Sequence, residues 1–394
     1  MTRITDIRTT IWEWIGPVTP IAANSCTTAS DLVADSGGDL APFSFLGWLI
    51  VEIECADGMI GIGNAALAPQ ATKVVIDSYL RPLIMGRDPF DTEYLWQSMY
   101  RRTLPFGRKG IGMAAISAVD LALWDLKGKL VGEPVFRLLG GRTKSPLPVY
   151  ASKLYNQPAH DLVREAQTYL TQGFKMMKLR LGWGPGHGLA GMRRNLDLVR
   201  TLRETVGDSV EIMADVYMGW NLEYAKRMLP QLAPFNLRWL EEPLLADDIA
   251  GYAELKRMGH VPIAGGEHEF SLAGFRQLID ARAIDVAQFD TNRVGGITSA
   301  QKIVALCEAQ GIPVVPHAGQ MHNYHIVMSS YAAPFAEYFP KGPVEVGNEL
   351  FWNIFEGEPL ADNGYVDLSD KRPGLGLSLK KPEPHEFRLI QSLS

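Results

Sequence analysis

VEIMADV (210–216), LRWLEEP (237–243) and VPIAGGEH (261–268) are the stretches that decide how this chain folds. Each is an apolar, strand-like run that closes on a carboxylate, Asp215, Glu241 or Glu267, at intervals of about 26 residues. That interval holds one strand, one helix and two short loops, the repeat of a β/α barrel. Taken singly, each acid is an ordinary loop carboxylate or helix cap. Taken together at consecutive strand ends, they converge on one mouth and form a hard-oxygen site suited to Mg²⁺. Glu241 is the expected ligand in preference to Glu242, because neighbouring strand residues face opposite sides.

The period continues outward in both directions. IDVAQFD (284–290) ends in Asp290 and PVVPHAG (313–319) contains His317. An acid one strand away from an imidazole can fix its tautomer and leave the other nitrogen as a base. Upstream, KMMKLRL (175–181) puts Lys178 and Arg180 two residues apart, so both share one strand face. If that face is interior, the mouth carries two cations suited to an anionic substrate, and Arg180 is too strongly basic to take a proton. FAEYF (335–339) supplies Glu337, a candidate proton or hydrogen-bond donor if burial raises its pKa. His268, His187 and Trp183 are candidate substrate contacts, the last two in the loop GWGPGHG (182–188). That glycine cluster lacks the context of a nucleotide loop. His322 and His325, three residues apart, have no matching acid or cysteine and are expected to pack rather than to bind zinc.

With PVYAS (148–152), eight strand-like runs alternate with helical segments, which predicts an α/β chain whose main body is a modified (β/α)7β TIM-type barrel over residues 141–355. Residues 1–140 are expected to form an α+β capping domain. It opens with ITDIRTTIWEW (4–14), continues through a hairpin turned at Asp57-Gly58, and ends with a long helical run stopped by Gly132 and Pro134. Within it, residues 17–46 lack any period and form a candidate lid. The turn-rich tail, 356–394, is expected to pack back on the capping domain.

Composition narrows the function. At 394 residues and 46% apolar content the chain can bury a large core, and its net charge of −6 without a basic stripe argues against nucleic acid. No run is long and apolar enough for a membrane span, and MTRITDIRTT lacks the apolar core of a signal peptide, so a cytoplasmic location is expected. Cys26, Cys55 and Cys307 are scattered and read as reduced thiols.

Read in order, AVDLALWDLKGK (118–129), FKMMKLRLG, the ADV, LEEP and GEH segments, RVGGIT (293–298) and VPHAG resemble the enolase superfamily, and within it the acid-sugar dehydratases of the mandelate racemase group. The resemblance covers nearly the whole chain. It implies Mg²⁺ on Asp215, Glu241 and Glu267, an Asp290–His317 base and an assisting Glu337. GWGPGHG, PHAGQMHNYH and PFAEYF look most like the rhamnonate-type members, which makes L-rhamnonate, L-lyxonate and L-mannonate the first candidate substrates and a dimer or octamer the expected assembly. Two features depart from the pattern. Lys178-Leu179-Arg180 stands where the mandelate racemase type has Lys-x-Lys, and the 20s to 40s loop lacks the expected His and Arg. The rival readings are a racemase or epimerase using the same enediolate, and a non-catalytic sugar-acid binder. Cycloisomerisation is disfavoured, because Asp290 stands where those relatives are expected to carry a lysine.

Overall fold

The computed structural model describes residues 2–21, 25–32 and 44–392, so part of the expected lid, 22–24 and 33–43, lies outside the described residues. The chain opens with three antiparallel strands, β1 (Ile4–Trp14), β2 (Gly47–Cys55) and β3 (Ile60–Ala65). The β2–β3 turn falls at Asp57-Gly58, where Gly58 takes a left-handed φ of 79° and the Asp57 carboxylate accepts from Met59 N at 3.1 Å. The apolar face of this sheet buries Ile7, Ile11, Leu49, Val51 and Ile53 against the helix Ile111–Val131.

Parallel strands then alternate with helices: β4 (Leu147–Ser152), β5 (Met176–Arg180), β6 (Glu211–Asp215), β7 (Trp239–Glu241), β8 (Ile263–Gly265), β9 (Val286–Ala287) and β10 (Ala336–Tyr338). They hydrogen-bond in chain order from β4 to β9, and β10 pairs back with β4. The expected seventh run joins only through single bridges, Ala287 to Val314 and Asp290 to His317. The prolines at 313 and 316 explain this, since neither can donate to a ladder. Inside the sheet Tyr150, Met213, Trp239 and Phe335 pack into one plug, with the Trp239 and Phe335 rings stacked at 6.0 Å.

The tail divides between both bodies. Strands β11 (Phe355–Glu356) and β13 (Ser378–Leu379) pair with each other, β12 (Tyr365–Val366) adds to β4, and β14 (Phe387–Ile390) adds to the free edge of β1. Part of the tail therefore covers an otherwise open edge of the capping sheet, and part stays on the barrel.

Two motifs quoted from the sequence meet at the seam. Asp120 accepts from Thr298 N at 2.9 Å and Thr298 Oγ1 at 2.6 Å, so a capping-domain acid closes the N-terminus of the barrel helix Gly296–Ala309. Burial pushes the Asp120 pKa up to about 7. Gly296 has φ +74°, and a Cβ there would lie 2.3 Å from Asp120 Oδ2. Gly296→Ala is expected to cost about 3 kcal/mol through backbone strain and loss of this cap, read as a lowered denaturant midpoint at unchanged m-value.

His325, on the helix Met321–Met328, accepts from Phe136 N at 3.0 Å through Nδ1, and Nε2 donates to Leu375 O at 3.2 Å. One neutral imidazole thus ties the barrel to the C-terminal end of the capping domain and to the tail. Burial lowers its pKa to about 4, with the positive neighbourhood of His322 and Arg142 adding to the effect. Because the folded value lies below the unfolded 6.5, the unfolded chain binds the extra proton. Stability is therefore full above pH 6.5 and falls as pH drops toward 4, by about 3 kcal/mol from this one group. His325→Gln is expected to flatten that part of the stability–pH curve, measured by urea unfolding from pH 8 to 5. Burial lowers the pKa of the neighbouring His322 to about 4 as well.

Candidate active site

The strand register builds the site. In one row Arg180 pairs with Asp215 and Asp215 with Glu241, and in the row beneath Lys178 pairs with Met213 and Met213 with Trp239. Side chains of one row point the same way, so the lower Lys178 rises among the carboxylates of the upper row. Its ammonium lies 2.5 Å from Glu241, 2.9 Å from Glu337 and 3.4 Å from Asp215. Burial alone would lower the Lys178 pKa, but Glu241 and Glu337 outweigh it and hold it well above the usual lysine value. Arg180 pairs with Asp215 at 2.8 Å and lies over the Tyr155 ring. The interior orientation expected for Lys178 and Arg180 is the one observed.

Glu241 also accepts from Trp239 Nε1 at 2.9 Å and Gln288 Nε2 at 2.8 Å. Burial raises its pKa to about 7 despite Lys178, with Asp215, Glu337 and Glu267 adding to the rise. Glu267 leans the other way, toward Arg293 at 3.3 Å, His317 Nε2 at 3.4 Å and His268 at 3.6 Å. Among the described residues, the ligand-type atoms gathered within 4.8 Å of one another are those of Glu242, Glu267 and His268, and the expected trio is not gathered in this way. The side-chain cations account for the difference: Lys178 and Arg180 hold Asp215 and Glu241 on one side, while Arg293 holds Glu267 on the other. The donor chemistry fits Mg²⁺ nonetheless. Three buried carboxylates at adjacent strand ends offer the hard oxygen donors that a dication takes.

His317 Nδ1 lies 2.9 Å from Asp290 Oδ2, across the bridge that joins their segments. Asp290 is itself fixed by Asn292 N at 2.7 Å and Arg293 Nε at 3.0 Å, and Asn323 holds the carbonyls of His317 and Ala318. Burial lowers the His317 pKa, yet Glu267 and the Asp290 hydrogen bond outweigh it and push it up to about 9. Glu337 accepts from Ala318 N at 2.8 Å. Burial raises its pKa, but Lys178 and His317 outweigh it and bring it below the usual value.

The wall beside His317 belongs to both domains: Trp48, Asn64 and Leu67 of the capping side face Asp290, Arg293 and His317. Asn292 Nδ2 reaches Asn64 O at 2.6 Å, pinning the hairpin to the mouth. His268 sits at this mouth, its Nδ1 2.6 Å from Glu242. Trp183 packs in the main core with Arg194 over its ring, and His187 folds onto its own turn through Gly184 N.

Several site residues escaped the sequence reading. Gln288 could have been found by the same two-residue spacing from Asp290 that linked Lys178 to Arg180. Arg293, quoted within RVGGIT, binds both Asp290 and Glu267 but lies beyond its strand, where no period applies. Cys26 was taken as an ordinary thiol. It lies near enough to Asp215 and Arg180 to feel both charges, and burial, with Asp215, raises its pKa. Thr27 N donates to Leu181 O at 2.7 Å, docking this part of the 17–46 loop at the mouth.

Residues 161–383 match the family described as enolase C-terminal domain-like, and residues 46–140 match the mandelate racemase / muconate lactonizing enzyme N-terminal domain. The chain is 37% identical over 351 residues to the L-rhamnonate dehydratase of Saccharopolyspora erythraea, covering 86% of this chain and 87% of that protein. Among solved structures it is similar to rhamnonate dehydratase from Gibberella zeae complexed with Mg, at TM-score 0.83 and 32% identity, over 96% of this chain and 94% of that one. It is also similar to a racemase from Streptomyces coelicolor A3(2) with bound magnesium, at TM-score 0.81 and 31% identity, over 95% and 97% of the two chains.

Proposed function

The chain belongs to the enolase superfamily, and from that premise we propose that it is a Mg²⁺-dependent acid-sugar dehydratase with L-rhamnonate as its first candidate substrate. The observation that carries the reading is the His317–Asp290 pair, set at 2.9 Å opposite the Lys178–Arg180 cations across a carboxylate-rich mouth. The named relatives support the substrate class.

Asp215, Glu241 and Glu267 would hold the metal, which when bound supplies Lewis-acid charge that stabilises the anion formed from the substrate carboxylate. Glu267 is the strongest upward influence on the His317 pKa, and a metal held there would lessen it. His317 takes the C2 proton, and the electron pair moves into the carboxylate as an enediolate. Lys178 and Arg180 place fixed positive charge where that anion grows. The C3–O bond then breaks, the oxygen leaves as water with the proton carried by His317, and the enol becomes a 2-keto-3-deoxy acid. One water is lost and no oxidant is needed.

The racemase neighbour favours one second reading, reprotonation of the same enediolate at C2. It requires an acid on the opposite face, and Lys178, held by Asp215, Glu241 and Glu337, is the side chain available there. The two readings separate in a screen of five- and six-carbon aldonates and aldarates with Mg²⁺. Formation of 2-keto-3-deoxy acid, abolished by EDTA, supports the dehydratase. Deuterium entering recovered, C2-inverted substrate without keto acid would overturn it. The same screen tests the L-rhamnonate assignment against L-lyxonate and L-mannonate.

A further inference from the structure

Glu242 is buried at 1% exposure, directly after the expected ligand Glu241, yet its backbone is left-handed at φ +41°. Tyr217 and Met218, at the neighbouring strand end, are left-handed too, at +46° and +61°. For non-glycine residues such conformations cost about 1–3 kcal/mol each and persist where the surroundings impose them. The backbone does impose them: Glu242 N donates to Ala264 O at 3.1 Å, and Met218 N donates to Glu242 O at 2.7 Å.

These strained positions converge on one imidazole. The Glu242 carboxylate meets His268 Nδ1 at 2.6 Å and accepts from His268 N at 3.3 Å. Tyr217 places its ring edge-to-face with the His268 ring at 5.1 Å. Nδ1 also lies 3.6 Å from Glu267, while Nε2 faces Arg293 at 3.4 Å, the arginine that pairs with Glu267 at 3.3 Å. Glu241 and Glu242 therefore divide the mouth between them, one facing Lys178 and the other fixing a histidine.

We propose that Glu242 is a positioning residue, holding His268 so that its Nε2 edge is presented to the hydroxyl-bearing chain of the acid sugar. The inference rests on the acid-sugar reading for its substrate class. The competing role for Glu242, as a cation ligand with Glu267 and His268, draws on the same three side chains and is separated from positioning by Mg²⁺ affinity.

The test compares wild type, Glu242→Ala, the isosteric Glu242→Gln and the conservative Glu242→Asp in three measurements: steady-state kinetics on L-rhamnonate with Mg²⁺, calorimetric Mg²⁺ binding without sugar, and ¹⁵N spectra of the histidine rings. Loss of an orienting partner is expected to lower kcat about 10- to 100-fold in Glu242→Ala, with KM and the Mg²⁺ Kd changed by less than about threefold and partial recovery in Glu242→Asp. The His268 ring signals are expected to move in Glu242→Ala and Glu242→Gln while those of His317 stay in place. Weakening of Mg²⁺ to the extent seen in Glu267→Gln would make Glu242 a ligand and overturn the proposal, as would an unchanged kcat with an unchanged His268 spectrum. Should wild type leave L-rhamnonate untouched, that sugar assignment fails, while the ring spectra and the Mg²⁺ titration still decide the role of Glu242.

Discussion

His317→Asn is expected to lower kcat/KM on the acid sugar by about 10³-fold or more, since a positioned general base contributes roughly 10²–10⁴ and this imidazole serves twice, for the C2 proton and for the departing oxygen. The structure makes the loss interpretable. His317 is 9% exposed, and an asparagine amide can still donate to Asp290, so neither a void of consequence nor an orphaned Asp290 carboxylate follows. Thermal stability and Mg²⁺ affinity should stay close to wild type. In D₂O the wild type is expected to exchange or eliminate at C2, and the variant to do neither. Retained C2 exchange in His317→Asn would move the base to another residue, with Lys178 the first alternative, and would revive the epimerase reading.

The parts of this site that could be read from sequence are those governed by strand periodicity. Asp215, Glu241, Asp290 and His317 stand at strand ends separated by a regular β/α unit, and Lys178 and Arg180 share a face because they are two apart. The structure places all of them in the interior. What escaped is what leaves the period. Glu242 would point away from the mouth in a regular strand, but a left-handed backbone turns its carboxylate onto His268. Arg293 reaches Asp290 and Glu267 from a loop. The seventh strand reads as a strand from its apolar residues and yet forms only isolated bridges, because its prolines remove the donors a ladder needs. Glu337 illustrates a different limit: burial was foreseen, but the sign of its pKa shift depends on a lysine 159 positions earlier, which only tertiary structure brings to 2.9 Å.

The largest effect on the protein without metal is expected from Lys178→Met. The ammonium is fully buried and serves as counter-ion to Asp215, Glu241 and Glu337 at once. Replacing it with an apolar chain of similar length leaves these carboxylates clustered in a low-dielectric interior. Breaking a buried ion pair on one side costs about 3–5 kcal/mol, which should appear as a clear fall in Tm for the EDTA-treated protein. The metal site should respond in the opposite direction. Lys178 and a bound dication draw on the same carboxylates, so removing the ammonium removes a competitor for Asp215 and Glu241. Mg²⁺ should then bind Lys178→Met more tightly than wild type and restore much of the lost stability, because a ligand that binds only the folded chain stabilises it in proportion to its affinity. Turnover should still fall by about 10²–10³-fold, since the positive charge that answers the growing anion is gone. Tighter metal together with slower chemistry separates an electrostatic role for Lys178 from a purely structural one. Weaker Mg²⁺ binding in the variant, or an unchanged Tm without metal, would contradict the shared use of these carboxylates by lysine and metal.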